Sequence, residues 1–246
     1  MDTGEDWRPS ATLATLRARA AFLGRIRAFF EARGVLEVET PLLSRAAVTD
    51  PLLQSVPAQP FADAQSWYLH TSPEFAMKRL LAAGSGPIFQ LTRCFRRAES
   101  GPRHNPEFTM LEWYRPGFGL DELIAEVAEL VLAIAPALPV HRDSYRELFR
   151  RHVGVDPLSA PLGELRARAL PLTPDAGGWD RDTLLDLLFA GLAEPRLGCG
   201  CLQFVERFPA SRASLARRAE DPDGQPVAAR FELFIEGLEL ANGYDE

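Results

Sequence analysis

The pattern of apolar and polar positions predicts an ordered succession of helices and short strands. In residues 13–30 apolar side chains recur at spacings of three and four, which is typical of an amphipathic helix, and Gly34 ends it. In residues 35–40 apolar and polar side chains alternate up to Pro41, which predicts a strand that stops at a residue without a backbone donor. We therefore expect the chain to begin with a helix followed by a strand.

The middle of the chain predicts a β-hairpin. Residues 75–83 are expected to form a helix, which Ser72 would cap and Pro73 would start. Residues 87–94 and 109–114 are rich in apolar side chains, and an arginine-rich loop separates them. We expect these two segments to pair as the strands of the hairpin.

The second half of the chain predicts helices interrupted by strands. Asp121 is expected to cap a helix that ends before Pro136, and Asp182 is expected to cap a helix over residues 183–192. Residues 137–178 are expected to hold short helices. Further strands are predicted at residues 67–70, 202–208, 230–235 and 237–241. Because strands and helices do not alternate strictly, we expect an α+β fold in which an antiparallel sheet is flanked by helices.

The composition is that of an ordinary globular protein. With 246 residues, 46% hydrophobic and 25% charged, the chain is long enough for one large domain over residues 1–246. It contains no run of about 18 consecutive apolar residues, and residues 1–9 are acidic and polar. We therefore expect a cytoplasmic protein.

Cysteine content and net charge exclude some classes of function. The three cysteines, Cys94, Cys199 and Cys201, are an odd number, which argues against a disulfide framework. Cys199 and Cys201 alone would make a poor zinc site, so free thiols are favoured over a metal site. A net charge of −7 disfavours a broad nucleic-acid-binding surface but leaves room for a local basic site.

The hairpin loop and its second strand hold the strongest chemical signal. The arginines of the loop, which begin with Arg96 and Arg97, have the fork geometry that matches phosphate oxygens. Phe108 offers a ring that can stack on a base, and Glu112 and Tyr114 fall on one face of the second strand. We interpret the segment as a hairpin with a nucleoside triphosphate at its tip and a cationic substrate along its second strand. The alternative is a solvated basic loop at a sheet edge.

A second group of polar residues lies near the end of the sequence. Glu232, Glu239 and Glu246 are spaced by seven, and a turn at residues 236–237 would let the first two converge across neighbouring strands. Paired carboxylates suit Mg²⁺ bound to triphosphate oxygens, whereas Asn242 and Glu246 suit an ammonium group. An acidic, solvent-facing strand is the alternative, and spacing alone favours neither.

A third motif, residues 71–74, joins a predicted strand to a predicted helix. Ser72 and Pro73 by themselves indicate a helix cap, which is a structural role. Glu74 becomes a functional candidate only if the pocket binds an amino group.

Taken in this order, the segments resemble the catalytic domain of class II aminoacyl-tRNA synthetases of the lysine type. Residues 34–41 resemble the first class II motif, residues 95–114 the second, and residues 237–246 the strand that leads to the third. The chain is still more similar, over essentially its whole length, to the family of lysyl-tRNA synthetase paralogues that ligate (R)-β-lysine to elongation factor P. Four segments carry this closer resemblance, namely residues 71–74, 77–81, 112–116 and 181–185.

The resemblance implies an ATP-dependent ligase. The carboxylate of lysine or β-lysine would attack the α-phosphorus of ATP, and a lysine amine of elongation factor P would then attack the resulting mixed anhydride. It also implies ATP and Mg²⁺ as cofactors and a homodimer formed through the first motif.

The resemblance further implies roles for individual residues. Arg96 would be catalytic, because it would neutralise charge at the α-phosphate and the substrate carboxylate. ATP contacts are implied for Arg96, Arg97, Ala98, Arg103, His104, Asn105, Phe108, Glu239 and Leu240. Amino acid contacts are implied for Ser72, Pro73, Glu74, Glu112, Tyr114, Asn242 and Glu246. Glu232 and Glu239 would hold Mg²⁺.

Two features depart from the family pattern. Ala98 stands where the family usually has a glutamate, and the sequence ends at Glu246, before the third motif, so we expect a catalytic domain that is incomplete at its C-terminus. Only 40 residues precede Pro41, too few for an anticodon-binding barrel, so we expect neither that domain nor a tRNA substrate. A non-catalytic class II-like protein that binds ligand or dimerises, and a lysine–tRNA ligase, remain the alternative functions.

Overall fold

The structure, a computed structural model, describes residues 9–50, 53–60, 66–102, 104–135 and 137–246. The chain divides into two compact units, Met1–Gly117 and Phe118–Glu246. The prediction of one catalytic domain over the whole chain stays a prediction. Among the described residues, no helix combines the length and the apolar character needed to cross a membrane.

The first unit contains two small sheets and two helices. Its elements are α1 (Leu13–Glu31), β1 (Leu36–Glu37), β2 (Leu43–Ser44), β3 (Val56–Ala58), β4 (Trp67–Leu69), α2 (Glu74–Ala82), β5 (Ile88–Phe95) and β6 (Glu107–Tyr114). One sheet has the order β1-β5-β6, with β1 parallel and β6 antiparallel to β5, and the other has the antiparallel order β2-β4-β3. The Phe30 ring of α1 stacks on Phe89 of β5 with centroids 4.6 Å apart, and Trp113 of β6 lies 5.3 Å from Phe30. These apolar contacts hold α1 against the sheet.

The second unit is a five-stranded sheet with helices. Its elements are α3 (Leu120–Ile134), β7 (Val140–Ser144), α4 (Tyr145–Val153), α5 (Leu162–Ala169), α6 (Arg181–Leu188), β8 (Leu202–Pro209), β9 (Arg218–Glu220), β10 (Pro226–Ile235) and β11 (Leu238–Tyr244). The strand order is β11-β10-β8-β7, and β9 pairs with β10. All pairs are antiparallel except β7 with β8. Tyr145 stacks on Phe189 at 4.5 Å within a large apolar core that α4, α5, α6 and the sheet share.

The predicted α+β class with antiparallel pairing and flanking helices is confirmed, and most strands lie where the alternation predicted them. Residues 35–40 are an exception, because only Leu36–Glu37 form a strand there. The strand β7 was not predicted, since Val140–Ser144 has almost no apolar alternation and extends because it pairs with β8.

Three predicted helix caps were wrong. α3 begins at Leu120, where the Glu122 carboxylate accepts from the Gly119 N–H at 2.6 Å, so Asp121 lies inside the first turn. α6 begins at Arg181, because the Asp180 carboxylate accepts from the Thr183 N–H at 2.8 Å. Asp182 is therefore inside that helix.

The third wrong cap is at α2, where Pro73 occupies the N-cap position. Ser72 lies one residue earlier, and its hydroxyl oxygen accepts from the Glu74 N–H at 3.0 Å. Ser72 therefore satisfies a backbone donor at the helix start and keeps its own proton available for another contact.

Candidate active site

The predicted hairpin is present in the first unit. β5 and β6 pair without interruption from Ile88 opposite Tyr114 to Phe95 opposite Glu107. The loop is closed at its base by a hydrogen bond from the Arg96 N–H to the Pro106 carbonyl at 2.9 Å. The hairpin therefore holds the second-motif residues on a continuous two-stranded ladder.

The predicted catalytic residue Arg96 lies beside the predicted adenine platform. Its guanidinium carbon is 5.1 Å from the centroid of the Phe108 ring, and Nη1 is 3.8 Å from the Glu99 carboxylate. Nε points to the Thr71 carbonyl at 3.4 Å. The structure thus places a cation and a half-buried ring together at the base of the loop.

The other predicted ATP contacts of the loop are mostly exposed. Arg97, Ala98, His104 and Asn105 are all exposed to solvent, whereas Arg103 lies outside the described residues. Ala98 has φ +65°, a left-handed conformation that costs a residue with a Cβ about 1–2 kcal/mol. A short backbone bridge between Gly101 and His104 closes the tip of the loop.

Glu112 is the centre of the predicted amino acid pocket. Its Oε2 accepts from the Ser72 hydroxyl at 2.6 Å, and its Oε1 accepts from the Tyr114 hydroxyl at 2.8 Å. Glu74, the first residue of α2, is bound by Lys78 Nζ at 2.8 Å. The structure therefore brings Ser72, Glu74, Glu112 and Tyr114 into one cluster, in which Pro73 serves as the helix N-cap.

The charge of Glu112 is set by opposing effects. Burial raises the pKa of this carboxyl, the hydroxyls of Ser72 and Tyr114 lower it, Glu74 raises it and Lys78 lowers it. The net direction is upward. A half-buried carboxylate in this environment gains most from an added cation, because a cation replaces the solvation that burial removed.

The buried thiol of Cys94 belongs to the same surroundings. Burial and the nearby Glu112 charge raise the pKa of Cys94 to about 12, although Arg96 opposes them. Such a thiol is not a nucleophile at neutral pH. Cys94, Cys199 and Cys201 are all free thiols in the structure.

The second unit carries the remaining predicted residues on β10 and β11. Glu232 lies opposite Asn242, and Phe234 opposite Glu239, with a register shift between them that leaves Leu240 unpaired. Because of this β-bulge, Glu239 and Asn242 fall on the same face of β11 although they are three residues apart. The Asn242 amide lies 3.5 Å from the Glu239 carboxylate.

Glu232 is largely buried, and the arginines Arg230 and Arg212 oppose the effect of burial on its charge. Burial and the Glu239 charge raise the pKa of Glu232 to about 8, while Arg230 lowers it. Arg230 Nη2 donates to the Glu232 carboxylate at 2.5 Å, and its guanidinium lies over Phe208 at 4.5 Å and Tyr244 at 5.3 Å. The Glu239 charge acts on the pKa of Glu232, as the predicted convergence of the two side chains requires.

Two other predicted residues lie at the margin of this group. Leu240 is 54% exposed at the bulge. Glu246 accepts through its backbone oxygen from Arg217 at 3.3 Å. Within the described part of the chain, no group of three or more His, Cys, Asp or Glu side chains is arranged to hold a metal ion.

Sequence reasoning missed two charged residues in these clusters. Lys78 lies four residues after Glu74, a spacing that places both side chains on one face of a helix. Arg230 lies two residues before Glu232, a spacing that places both on one face of a strand. Both signals were present in the sequence, but they become informative only once the neighbouring carboxylates are known to be partly or largely buried.

Comparison with known proteins identifies the family of this chain. The sequence profile of tRNA synthetases class II (D, K and N) matches residues 5–246. The chain is 49% identical over 251 residues to the elongation factor P–(R)-β-lysine ligase of Histophilus somni strain 2336, covering 100% of this chain and 77% of the relative. Proteins of the same name from Sodalis glossinidius and Pseudoalteromonas translucida are 48% and 51% identical, covering 100% and 98% of this chain and 77% and 76% of the relatives.

Proposed function

Because the chain belongs to the class II tRNA synthetase family (D, K and N), we propose that it is an ATP-dependent ligase acting on elongation factor P. It would activate (R)-β-lysine or lysine as an aminoacyl-adenylate and transfer the aminoacyl group to a lysine side chain of that factor. Relatives that are about half identical along the whole chain bear the name of this activity.

The observation that carries the proposal is the half-buried Glu112 carboxylate, which two hydroxyls orient. Two hydroxyl donors, Ser72 and Tyr114, fix its orientation at 2.6 and 2.8 Å, so each oxygen keeps further acceptor capacity for a cation. Glu74 adds a second carboxylate in the same cluster. Two partly buried carboxylates suit the two ammonium groups of lysine, because each charge is costly without a partner.

The residues of the hairpin suit the activation step. A carboxylate oxygen of the amino acid forms a bond to the α-phosphorus, the bond to the bridging oxygen breaks, and pyrophosphate leaves. Arg96 would neutralise the charge that accumulates as two anions approach, and Phe108 would stack on adenine. Arg97, Ala98, His104, Asn105, Glu239 and Leu240 would supply the remaining ATP contacts.

In the transfer step a deprotonated lysine amine of elongation factor P would attack the carbonyl carbon of the mixed anhydride. An amide bond forms, AMP leaves with the electron pair of the broken C–O bond, and the amine loses a proton to solvent. Glu74 and Glu112 would hold the substrate ammonium groups throughout. Asn242 and Glu246 stay predicted amino acid contacts. No protein nucleophile is required.

A Mg²⁺ ion is proposed at Glu232 and Glu239. Magnesium is usually held by one or two protein carboxylates together with phosphates and water, so a pair is sufficient. When bound, the ion would offset the repulsion between the substrate carboxylate and the phosphates. The ionised form of Glu232 that a metal needs is disfavoured by burial, so binding would release a proton.

We propose a homodimer formed by α1 and β1. Leu13, Leu16, Phe22 and Leu36 are between 42% and 71% exposed, although they are large and apolar. A groove of about 520 Å³ beside them is lined by Arg27, Glu31, Gly34, Val35, Leu36, Glu37 and Phe89. Exposed apolar side chains and such a groove are typical of a contact between subunits. A cytoplasmic location and the absence of a tRNA substrate also remain proposals.

Amino-acid-dependent exchange of radiolabelled pyrophosphate into ATP tests the activation step. We expect exchange with β-lysine or lysine and none without an amino acid, and Glu112→Gln is expected to abolish it. Folded protein that exchanges with neither amino acid would contradict the ligase and favour the non-catalytic alternative.

An assay of the transfer step distinguishes elongation factor P from tRNA as the acceptor. Incubation with ATP, labelled β-lysine and either elongation factor P or tRNA is expected to label only the protein. Labelling of tRNA instead would favour the lysine–tRNA ligase.

A further inference from the structure

Lys78 is the single lysine of this chain and lies inside the cluster just described. It follows Glu74 by one turn of α2, and its Nζ is 2.8 Å from Glu74 Oε1. Both side chains are about one third exposed, at 29% and 32%. The pair is therefore open to a ligand but sheltered enough for the charges to interact strongly.

Glu74 and Glu112 share one hydrogen-bonded arrangement. The Ser72 hydroxyl oxygen accepts from the Glu74 N–H at 3.0 Å, and the same hydroxyl donates to Glu112 at 2.6 Å. Glu74 disfavours the charged form of Glu112 and Lys78 favours it. Without Lys78, two neighbouring carboxylates would repel each other in the empty pocket.

We propose that Lys78 is a positioning residue for the amino acid substrate, because it holds Oε1 of Glu74 and leaves Oε2 to accept the substrate amino group nearest the carboxylate. Within the described residues no hydrogen bond to Glu74 Oε2 is present. This inference rests on the proposed function and adds to it a residue that acts through Glu74 rather than by touching the reacting atoms.

The transfer step also requires that Lys78 does not itself accept the aminoacyl group. The acceptor in that step is a lysine amine, and this chain carries one lysine, close to the carboxylates that would bind the activated amino acid. At neutral pH a lysine is an ammonium ion, which has no lone pair, and here the Glu74 carboxylate lies 2.8 Å from that ammonium. The same contact that orients Glu74 therefore keeps Lys78 from acting as an acceptor in cis.

The test compares Lys78→Met, Lys78→Arg and the matched control Arg79→Met, which removes an exposed cation from the next position of α2. Pyrophosphate exchange is measured while the amino acid and ATP are varied separately. We expect Lys78→Met to raise the KM for the amino acid at least about tenfold, the effect of losing one charge-assisted contact, with the KM for ATP within about twofold. Lys78→Arg is expected to recover most of the loss, and Arg79→Met to match the parent.

The pH profile separates positioning from a structural role. Among the described residues, Glu74 and Lys78 of α2 and the hydroxyls of Ser72 and Tyr114 act on Glu112, and Cys94 of β5 is a further titratable neighbour. The KM for the amino acid is expected to fall as Glu112 ionises with rising pH. Because Lys78 lowers the pKa of Glu112, removing its charge is expected to move this decrease in KM to higher pH. Thermal unfolding of each variant shows whether it is folded.

Several outcomes would overturn the inference. An unchanged amino acid KM in folded Lys78→Met, or an equal rise in both KM values, would contradict a positioning role. So would mass spectrometry that finds a lysyl group on Lys78 after incubation with ATP and lysine.

Calorimetry of lysine binding distinguishes failure of the inference from failure of the proposed function. If the parent binds lysine but exchanges no pyrophosphate, the ligase is excluded, and the affinity of Lys78→Met still decides the role of Lys78. If the parent neither binds nor exchanges, both fail together.

Discussion

At the scale of single residues, Glu112 shows how a carboxylate is prepared for a cation. It lies on β6 directly opposite Gln90, which is 1% exposed, so the sheet side of the pocket excludes water. Its two oxygens each receive one hydroxyl proton, from Ser72 and from Tyr114. The carboxylate is therefore oriented by hydrogen bonds but not neutralised by them, which leaves its charge for a substrate.

Loss of the Tyr114 hydroxyl is predicted to weaken substrate binding. Tyr114→Phe removes a hydrogen bond to a charged acceptor, a contact worth about 1.5–3 kcal/mol, so the KM for the amino acid should rise at least about tenfold. Pyrophosphate exchange measures this KM, and Tyr68→Phe on β4 is the matched control. An unchanged KM in Tyr114→Phe would show that the hydroxyl does not support Glu112.

The pH dependence of substrate binding follows from the raised pKa of Glu112. Burial raises that pKa above the ordinary value of 4.5, so the folded protein holds this proton to a higher pH than an exposed carboxyl does. An ammonium substrate needs the ionised form, and its KM is predicted to fall as pH rises through the raised pKa. For folding the sign is opposite, because stability declines as pH rises above 4.5 toward the raised value.

Exchange assays over a pH series that begins near the ordinary value of 4.5 check this direction. Tyr114→Phe should move the KM transition to higher pH, since it removes a contact that lowers the pKa of Glu112. A KM that rises with pH would be inconsistent with binding by an ionised Glu112.

At the scale of elements, the hairpin of β10 and β11 depends on one bulge and one glycine. Leu240 is the extra residue that returns Glu239 to the face shared with Asn242. Gly243 lies opposite Phe231, and a Cβ at this position would be 2.4 Å from the Phe231 ring and 3.1 Å from Leu123 of α3. The absence of a side chain lets the ring lie across the strand beneath α3.

Adding a methyl group at Gly243 is predicted to destabilise the second unit. Gly243→Ala forces the Phe231 ring to move, and overpacking of this kind costs about 1–3 kcal/mol. Gly163→Ala in α5 is the control, because its Cβ would meet no atom within 4 Å and should stabilise the helix by about 0.5–1 kcal/mol. Urea denaturation measures both, and equal effects of the two changes would refute the packing explanation.

At the scale of the whole molecule, long-range ion pairs contribute to stability, whereas exposed apolar surface is proposed to contribute to subunit association. In the second unit Arg146 of α4 binds Asp156 at 2.9 Å, Asp221 at 3.1 Å and Asp223 at 2.7 Å. The contact with Asp156 spans 10 residues, whereas those with Asp221 and Asp223 span 75 and 77 residues. They cross-link the loop after α4 to the turn before β10.

Stability is predicted to fall in acid through Asp156. Burial would raise the pKa of Asp156, but hydrogen bonds from Arg146, the Leu158 N–H and Arg150 hold it well below its ordinary value of 3.8. This contribution is complete above pH 3.8 and is lost as pH falls toward the lowered pKa. Asp156→Asn should therefore cost about 3 kcal/mol at neutral pH, the typical effect of breaking a largely buried ion pair.

Denaturation at several pH values tests the sign of this effect. The difference between the parent and Asp156→Asn should narrow below pH 3.8, while Asp175→Asn, at an exposed position, should have little effect at any pH. A difference that stays constant or widens in acid would exclude this linkage.

Subunit association is predicted to depend on the exposed apolar side of α1 and β1. Leu36 is 57% exposed on β1, and Leu36→Arg should shift the protein toward monomer if this surface is the dimer contact. Light scattering after size exclusion measures the mass, and Leu172→Arg, at a position that is 40% exposed, is the control. A dimer that persists in Leu36→Arg would place the contact elsewhere.

Much of the fold and of the first cluster was determined by the sequence alone. Alternation along residues 109–114 placed Glu112 and Tyr114 on one face, because side-chain direction in a strand depends only on position. Caps were less predictable. Asp180 rather than Asp182 caps α6, since several nearby aspartates have the chemistry of a cap and only the path of the backbone selects one.

The tertiary structure alone decided which charged and polar side chains contact one another. The bulge at Leu240 arises from the register of β11 against β10, which no local pattern encodes. The contacts that join Ser72, Glu74, Lys78 and Glu112 link the start of α2 to a strand about 40 residues later, as the separation of 40 between Ser72 and Glu112 shows. Residue types and spacings therefore determined which groups this protein carries, whereas packing decided which of them are buried together, because burial depends on parts of the chain far apart in sequence.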